Sequence, residues 1–175
     1  AGSDEALRQD GPDRPRARRI RAVRPAVGRA VPGGHVIVGS ASGGVLKSVS
    51  GGTSWTPIFD KYGAASIGDV KINQVNPNII WVGTGEECGR NSAAWGDGVY
   101  KSTDGGATFA NVGLKDSFNI GKIILHPKDV NTVWVAAIGN IYGPIGSRGV
   151  FKTIDGGTTW TKLTDGLPND PQTGA

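Results

Sequence analysis

Residues 84–97, a glycine-rich segment, collect the side chains of this sequence that are best suited to chemistry. Its candidate functional side chains are Glu86, Glu87, Cys88, Arg90, Asn91, Trp95 and Asp97. An indole ring beside carboxylates, a guanidinium and an amide can recognise a sugar, a peptide or a cation. We therefore predict a ligand-binding set that Arg148 joins from another segment: Glu86, Arg90, Asn91, Trp95, Asp97 and Arg148. The alternative is that Trp95 packs the loop and that the polar groups satisfy its backbone.

Acid–base catalysis needs two carboxylates that face one another across a substrate. Glu86 and Glu87 are adjacent in the chain and would point to opposite sides of an extended segment, so they make a poor pair. Glu86 together with Asp97 is the better candidate for a catalytic pair.

The sequence lacks the residue spacings that metal sites, cofactor-binding loops and catalytic nucleophiles require. Cys88 is the only cysteine, and His35 and His126 stand alone, so we predict neither a disulfide nor a metal site. The glycines at 83, 85 and 89 lack the helix that a phosphate loop needs, so no cofactor is predicted. No Ser/His/Asp order or Cys/His spacing typical of a nucleophilic hydrolase stands out.

An internal repeat supplies the elements that must position these residues. Segment 44–55 recurs as 98–109 and again as 149–160, with Lys47, Lys101 and Lys152 at the same place in each copy. Short apolar strands at 67–72, 79–83, 98–102 and 107–111 are repeated at 120–125, 132–137, 149–153 and 159–163. An incomplete first unit contributes 35–39, 44–48 and 54–58. Four antiparallel strands at a period of about 50 residues predict an all-β propeller fragment of about three blades.

The boundaries of the units follow from the repeat. We predict blades at about 35–60, 66–112 and 119–164 within a partial propeller of residues 35–175, and no helix longer than about two turns. The loops between second and third strands, at 40–43, 84–97 and 138–148, would open at the end opposite the Asp-Gly-Gly turns. Rigid scaffolds carry function on such loops.

The Asp-Gly-Gly turns have a chemistry of their own. An aspartate can accept hydrogen bonds from nearby backbone N–H groups, and two glycines can adopt positive φ. The following aromatic ring can pack beside the next sheet. The predicted structural residues of the three turns are Ser50, Trp55, Asp104, Gly106, Thr108, Phe109, Asp155, Gly157, Thr159 and Trp160. Serine replaces aspartate in the first copy, so its turn should be the weakest.

Segments 102–109 and 153–160 resemble the Asp-box, or bacterial neuraminidase repeat, and the wider context resembles sortilin-like and glycosyl-hydrolase-like bacterial propellers. The resemblance implies that Asp104 and Asp155 are structural and that ligands bind at the loop end. A sialidase centre needs three arginines, whereas residues 35–175 offer Arg90 and Arg148, and the paired aspartates of xyloglucanase-type relatives are not recognisable. The family resemblance also implies a secreted or periplasmic bacterial protein.

Two functions from different classes follow from this reading. The first is a binding module whose parent recognises a peptide, protein or carbohydrate, with no catalysis by this chain alone. The alternative is a fragment of a glycoside hydrolase-like propeller enzyme to which Glu86 or Asp97 contributes.

The positive charge belongs to an N-terminal arm, residues 1–34. The arm holds eight arginines and four acidic residues, whereas residues 35–175 sum to zero. Its composition predicts disorder, as a solvated leader or a polyanion-binding tail. The arm has no aromatic residue, so nucleic-acid binding is not predicted. No apolar run is long enough for a membrane span, and the arm has no secretory-signal pattern.

Three blades are fewer than the 4–8 of closed propellers. Apolar blade faces would then lie exposed, and such faces and unpaired edges associate. We therefore expect this chain to self-associate or to need further blades.

Overall fold

The computed structural model describes residues 26–27, 35–88, 92–143 and 145–167, with residues 26–27 as backbone only. Most of the predicted arm, residues 1–25 and 28–34, lies outside the described residues.

The described strands form three four-stranded antiparallel sheets, each a blade. Blade 1 contains β1 (Ala26–Val27), β2 (Val36–Gly39), β3 (Val45–Ser48) and β4 (Thr56–Pro57). Blade 2 contains β5 (Ile67–Ile72), β6 (Ile80–Thr84), β7 (Val99–Ser102) and β8 (Ala110–Asn111). Blade 3 contains β9 (Ile120–Leu125), β10 (Val133–Ala137), β11 (Gly149–Thr153) and β12 (Thr161–Leu163). Within the described ranges the sole helical element is a 3₁₀ turn, Lys115–Ser117, so the predicted all-β propeller architecture is confirmed.

Blade 1 has a strand that the sequence analysis missed. The expected three-strand unit is four-stranded, because Ala26 pairs with Gly39 and Val27 with Val38. This strand lies inside the segment predicted to be disordered. Its two residues are too few to show an alternating pattern, and their pairing to β2 is made by the backbone.

The hydrophobic core lies between the blades. One cluster joins blades 1 and 2 and includes Ile37, Phe59, Val82 and Phe109. A second joins blades 2 and 3 and includes Trp81, Ile123 and Val135. All five residues of β6 are buried, because blade 2 is covered on both faces. A continuous apolar strand is expected when neither face meets water.

A buried carboxylate joins the first strands of blades 2 and 3. Asp69 on β5 is 1% exposed and accepts hydrogen bonds from the Val70 N–H at 3.0 Å and the Ile123 N–H at 2.9 Å. The Lys71 ammonium bonds to the same carboxylate, and Lys122 lies 3.7 Å away. Pairing with cations and N–H groups offsets the cost of burying this charge.

Each blade has two chemically different ends. At one end the Asp-Gly-Gly turns meet the first hairpin of the same blade, as Gly105 N–H donates to Asn78 O at 2.9 Å. At the other end the loops 85–98 and 138–148 meet the connection 112–119. There Gly96 N–H donates to Phe118 O at 2.6 Å, and Ser147 N–H donates to Asp116 O at 3.0 Å. We call these the turn end and the loop end.

Candidate functional site

Two half-exposed aromatic rings stand together at the loop end of blades 2 and 3. Trp95 and Tyr142 are each 52% exposed, with ring centroids 6.4 Å apart. The edge-to-face partner of Trp95 is Phe118, at 5.4 Å and 73°. We call these three residues the aromatic platform. Its members come from three different connections, so the platform spans the junction between two blades.

Hydrogen bonds fix the Tyr142 side of the platform. The Tyr142 hydroxyl accepts a hydrogen bond from Ala93 N–H at 2.9 Å, which ties loop 138–148 to loop 85–98. The buried Asn140 side chain accepts a bond from Tyr142 N–H at 2.8 Å. Tyr142 is therefore held at both its backbone and its hydroxyl while it stays 52% exposed.

The backbone under Phe118 has an uncommon conformation. Leu114 and Phe118, which flank the 3₁₀ turn, have φ values of 54° and 57°. Bulky residues rarely adopt positive φ, and such residues cluster at functional sites. Phe118 O is held by Gly96 N–H, and a side chain at Gly146 would strike the Phe118 ring. The platform thus rests on a connection whose shape the surrounding loops enforce.

Asp97 is anchored within its own blade. Its Oδ2 accepts a hydrogen bond from the Tyr100 hydroxyl at 2.5 Å, and its Oδ1 accepts one from the Thr84 hydroxyl at 3.3 Å. Burial and the bond to Asp97 raise the pKa of Tyr100. Asp97 N–H donates back to Thr84 Oγ1 at 2.9 Å. Both carboxylate oxygens therefore help to close loop 85–98.

Glu86 opens the same loop and is 5% exposed, whereas Glu87 is exposed. The two neighbours thus differ in burial, in line with the alternation of an extended chain. The Glu86 backbone is held on both sides: its N–H donates to Ala94 O at 3.1 Å, and its carbonyl accepts from Asn119 Nδ2 at 2.9 Å. Glu86 and Asp97 lie near opposite ends of one loop, and their catalytic pairing stays a prediction.

Arg148 closes the loop of blade 3. Its Nε donates to Ile138 O at 2.6 Å and its Nη2 to Asn140 O at 2.8 Å. These bonds stabilise the backbone that carries Tyr142. Arg90 and Asn91, two more predicted ligand-binding residues, lie outside the described residues.

Phe118 and Tyr142 are site residues that sequence reasoning missed. Each is an aromatic residue in a polar connection, which was the available signal. Nothing in the linear spacing shows that residues 95, 118 and 142 converge.

The turn end holds Asp104 and Asp155 in equivalent places. Asp104 accepts hydrogen bonds from Thr108 N–H at 2.9 Å, Thr108 Oγ1 at 2.6 Å and Ser102 Oγ at 2.8 Å. Bonds from Thr159 and Thr153 to Asp155 repeat this pattern. These bonds, those of the threonines at 108 and 159 first, hold the pKa of both carboxyls well below the usual value. The aromatic ring after each of these two turns packs on the preceding blade rather than the next one, Phe109 on Phe59 and Trp160 on Trp81.

The described part of the chain lacks both metal-binding clusters and membrane-spanning helices. It contains no group of three His, Cys, Asp or Glu residues that could hold a metal ion. No helix in it is long and apolar enough to cross a membrane.

The chain is similar to carbohydrate-active propellers. No family model matches the sequence. Over 136 residues it is 32% identical to a xyloglucanase from a Paenibacillus species, covering 73% of this chain and 12% of that protein. A GH74 enzyme from Niastella koreensis has a similar structure, with a TM-score of 0.56 and 28% identity over 74% of this chain and 19% of its own. An ancestral GH74 enzyme gives a TM-score of 0.55 at 24% identity, covering 78% of this chain and 18% of its own.

The matched region is thus a small part of each relative: this chain spans less than a fifth of their length. The likenesses support a glycoside hydrolase-like propeller, and they back the alternative, a fragment of such a propeller, better than the module that binds a peptide, protein or carbohydrate.

Proposed function

We propose that this chain is part of a glycoside hydrolase-like propeller and that its loop end binds a xyloglucan-type polysaccharide across the aromatic platform. The observation that carries the proposal is the pair of half-exposed rings, Trp95 and Tyr142, held together from two blades. The similarity to a xyloglucanase supplies the ligand class. The three Ser- or Asp-Gly-Gly turns are, in this proposal, Asp-boxes that build the scaffold.

The chemistry of the platform suits a sugar chain. The apolar C–H face of a pyranose ring stacks on an aromatic ring, while its hydroxyl groups bond to polar groups at the edge. Trp95 and Tyr142 have their ring centroids 6.4 Å apart at an interplanar angle of 52°. Such a surface presents two faces to successive sugars of a twisted chain.

In this proposal the loop end binds the polysaccharide and does not itself catalyse its hydrolysis. Both Asp97 carboxylate oxygens are engaged by Tyr100 and Thr84, and Glu86 is buried. A general acid or base must reach the glycosidic oxygen or a water beside it. Binding on the platform therefore does not require Glu86 or Asp97, and the catalytic role of these two carboxylates stays a separate prediction.

The test measures the affinity for xyloglucan oligosaccharides by calorimetric titration. Trp95→Ala should weaken binding by roughly tenfold, about 1.4 kcal/mol, because one stacking surface is lost. Tyr142→Phe keeps the ring but loses the bond to Ala93 N–H, so it should weaken binding less. Trp55→Ala removes a partly exposed indole at the turn end and should leave the affinity unchanged.

An unchanged affinity of Trp95→Ala together with a lowered melting temperature would show that the indole only packs the loop. Equal losses in Trp95→Ala and Trp55→Ala would also defeat the proposal, since the effect would not be specific to the loop end.

A further inference from the structure

One buried side chain holds the loop of Trp95 at two points. Asn119 is 0% exposed and stands just before β9, next to Phe118 of the aromatic platform. Its Nδ2 donates a hydrogen bond to Glu86 O at 2.9 Å and another to Ala94 O at 3.4 Å. Because both partners are carbonyl oxygens, which can only accept, they fix the orientation of the amide.

The backbone of the same residue holds the loop of Tyr142. Ile138 N–H, at the start of that loop, donates to Asn119 O at 2.8 Å. The carbonyl of Ile138 in turn accepts a bond from Arg148 Nε at 2.6 Å, so this end of the loop is fixed on both sides. Asn119 therefore joins the loop that carries Trp95 to the loop that carries Tyr142.

The carbonyl of Ala94 is the point where the amide acts closest to the platform. It also accepts a bond from Glu86 N–H at 3.1 Å, which brings the two ends of the loop together. Trp95 follows Ala94 directly, and Ala93, the residue before it, donates its N–H to the Tyr142 hydroxyl at 2.9 Å. The amide therefore bonds to a residue whose two sequence neighbours are one platform ring and the anchor of a second ring.

The joint between blades 1 and 2 shows which part of this arrangement belongs to the scaffold. Ser66 stands just before β5 as Asn119 stands just before β9. Its carbonyl accepts a bond from Gly85 N–H at 2.8 Å, as the Asn119 carbonyl does from Ile138. Ser66 Oγ, however, is buried and makes no hydrogen bond among the described residues. The backbone bond is thus repeated between blades, whereas of the two described joints only the one with the platform has a side-chain amide bridge.

We infer that Asn119 is a positioning residue of the aromatic platform: its amide and its carbonyl keep two loops together, so that Trp95 and Tyr142 meet the ligand as one surface. A ring that is ordered before binding loses less conformational freedom on binding, which raises the affinity without adding a contact. The inference rests on the carbohydrate proposal for its ligand, but the ordering of the two rings is a property of the free protein.

The first experiment observes the rings without a ligand. The chain is labelled with fluorotryptophan, and the fluorine NMR signal of Trp95 is assigned by Trp95→Phe. Asn119→Ala should shift and broaden this signal, because loss of both amide bonds loosens the loop, while the signals of Trp55 and Trp134 stay in place. The matched control is Ser66→Ala, which removes a buried hydroxyl without a partner among the described residues and should leave the Trp95 signal unchanged.

The second experiment measures the affinity for xyloglucan oligosaccharides by calorimetric titration. Asn119→Ala should weaken binding about threefold, less than Trp95→Ala does, because the ring is kept but must be ordered on binding. This loss should shrink in the Trp95→Ala background, since the amide acts through that ring. A general structural effect of Asn119→Ala would instead add in full to the loss caused by Trp95→Ala.

An unmoved Trp95 signal in folded Asn119→Ala would overturn the inference, and so would fully additive losses of affinity. A wild type that binds no xyloglucan oligosaccharide would defeat the carbohydrate proposal alone, because the fluorine signals would still decide whether Asn119 positions the ring. Far-UV circular dichroism checks that each variant keeps its sheets. If Asn119→Ala loses them, Asn119→Ser decides, because serine occupies the equivalent place before β5; that variant should also move the Trp95 signal, and an unmoved signal refutes the inference.

Discussion

Two of the three turns are closed by a carboxylate and the third by a hydroxyl. Asp104 and Asp155 each bond to the backbone and side chain of a threonine four residues on. Ser50 Oγ makes the corresponding contacts to Ser54, with its N–H at 2.9 Å and its hydroxyl at 2.9 Å. In the first turn a single hydroxyl oxygen therefore makes the contacts that two carboxylate oxygens share in the other turns. Hydrogen bonds to the ionised carboxylates are the stronger ones.

The lowered pKa of Asp104 and Asp155 makes the fold sensitive to acid. A depressed folded-state pKa stabilises the fold above the unfolded value, near 4, and this stabilisation is lost as the pH falls toward the folded pKa. Asp129, whose pKa is lowered by Thr132 and Asn131, acts with the same sign. We expect the melting temperature to drop between about pH 4 and pH 2, measured by circular dichroism.

The matched variant for this prediction is Asp104→Asn combined with Asp155→Asn. It should melt at a lower temperature at pH 7 and show a shallower drop in acid, because the amides do not ionise. Parallel pH profiles of variant and wild type would show that other groups govern the acid response.

Replacing Ser50 by aspartate should stabilise the first turn. Ser50→Asp places a carboxylate where Ser54 N–H already donates and where the Ser54 hydroxyl lies within hydrogen-bond distance. We expect the melting temperature at pH 7 to rise by roughly 2–4 °C. Ser50→Asn is the control: it keeps the acceptor without the charge and should give a smaller gain that does not depend on acid. A destabilised Ser50→Asp variant would mean that this turn cannot adopt the geometry of the others.

At the scale of elements, blades 2 and 3 approach one another closely through the backbone at Gly68. Gly68 on β5 lies against β9, where a side chain would overlap the Ile120 carbonyl and lie 2.7 Å from the Gly85 carbonyl oxygen. Neither atom is a flexible side-chain end. Gly68→Ala should therefore cost at least about 3 kcal/mol of unfolding free energy in urea titration. Gly143→Ala, with no atom within 4 Å, should change it by less than about 0.5 kcal/mol; equal effects would contradict the role of this contact.

Strands were predictable where apolar alternation is long enough to see. The bounds of β5, β9 and β11 agree with the predicted 67–72, 120–125 and 149–153. The fourth strands are shorter than predicted, only 56–57 in blade 1 and 110–111 in blade 2, because hydrogen bonds of the turn hold the residues before them. The two-residue β1 was not predictable from pattern.

The candidate site was predictable only in part. Trp95 and the loop that carries it stood out by composition. The convergence of Phe118 and Tyr142 on Trp95 depends on contacts between connections of two blades, and linear spacing holds no record of it. The roles of Asp97 and Arg148 in closing their own loops likewise depend on backbone carbonyls and neighbours that no side-chain pattern reveals.

At the scale of the molecule, blade 2 differs from its neighbours because both of its faces are covered. Every residue of β6 is buried, whereas β10 of blade 3 alternates buried and half-buried residues. Repeat arrays gain stability from the interfaces between neighbours. Among the described blades, local stability should therefore be highest in blade 2 and lower in blades 1 and 3.

Hydrogen exchange should report this difference. Amides of β6 should exchange slowest, because opening them breaks two interfaces, and amides of β4 and β12 fastest, since these strands are short and exposed. Mass spectrometry of the exchanged peptides measures these exchange rates. Uniform protection across the three blades would mean that they unfold as one cooperative unit, in which case the covered faces of blade 2 confer no local advantage.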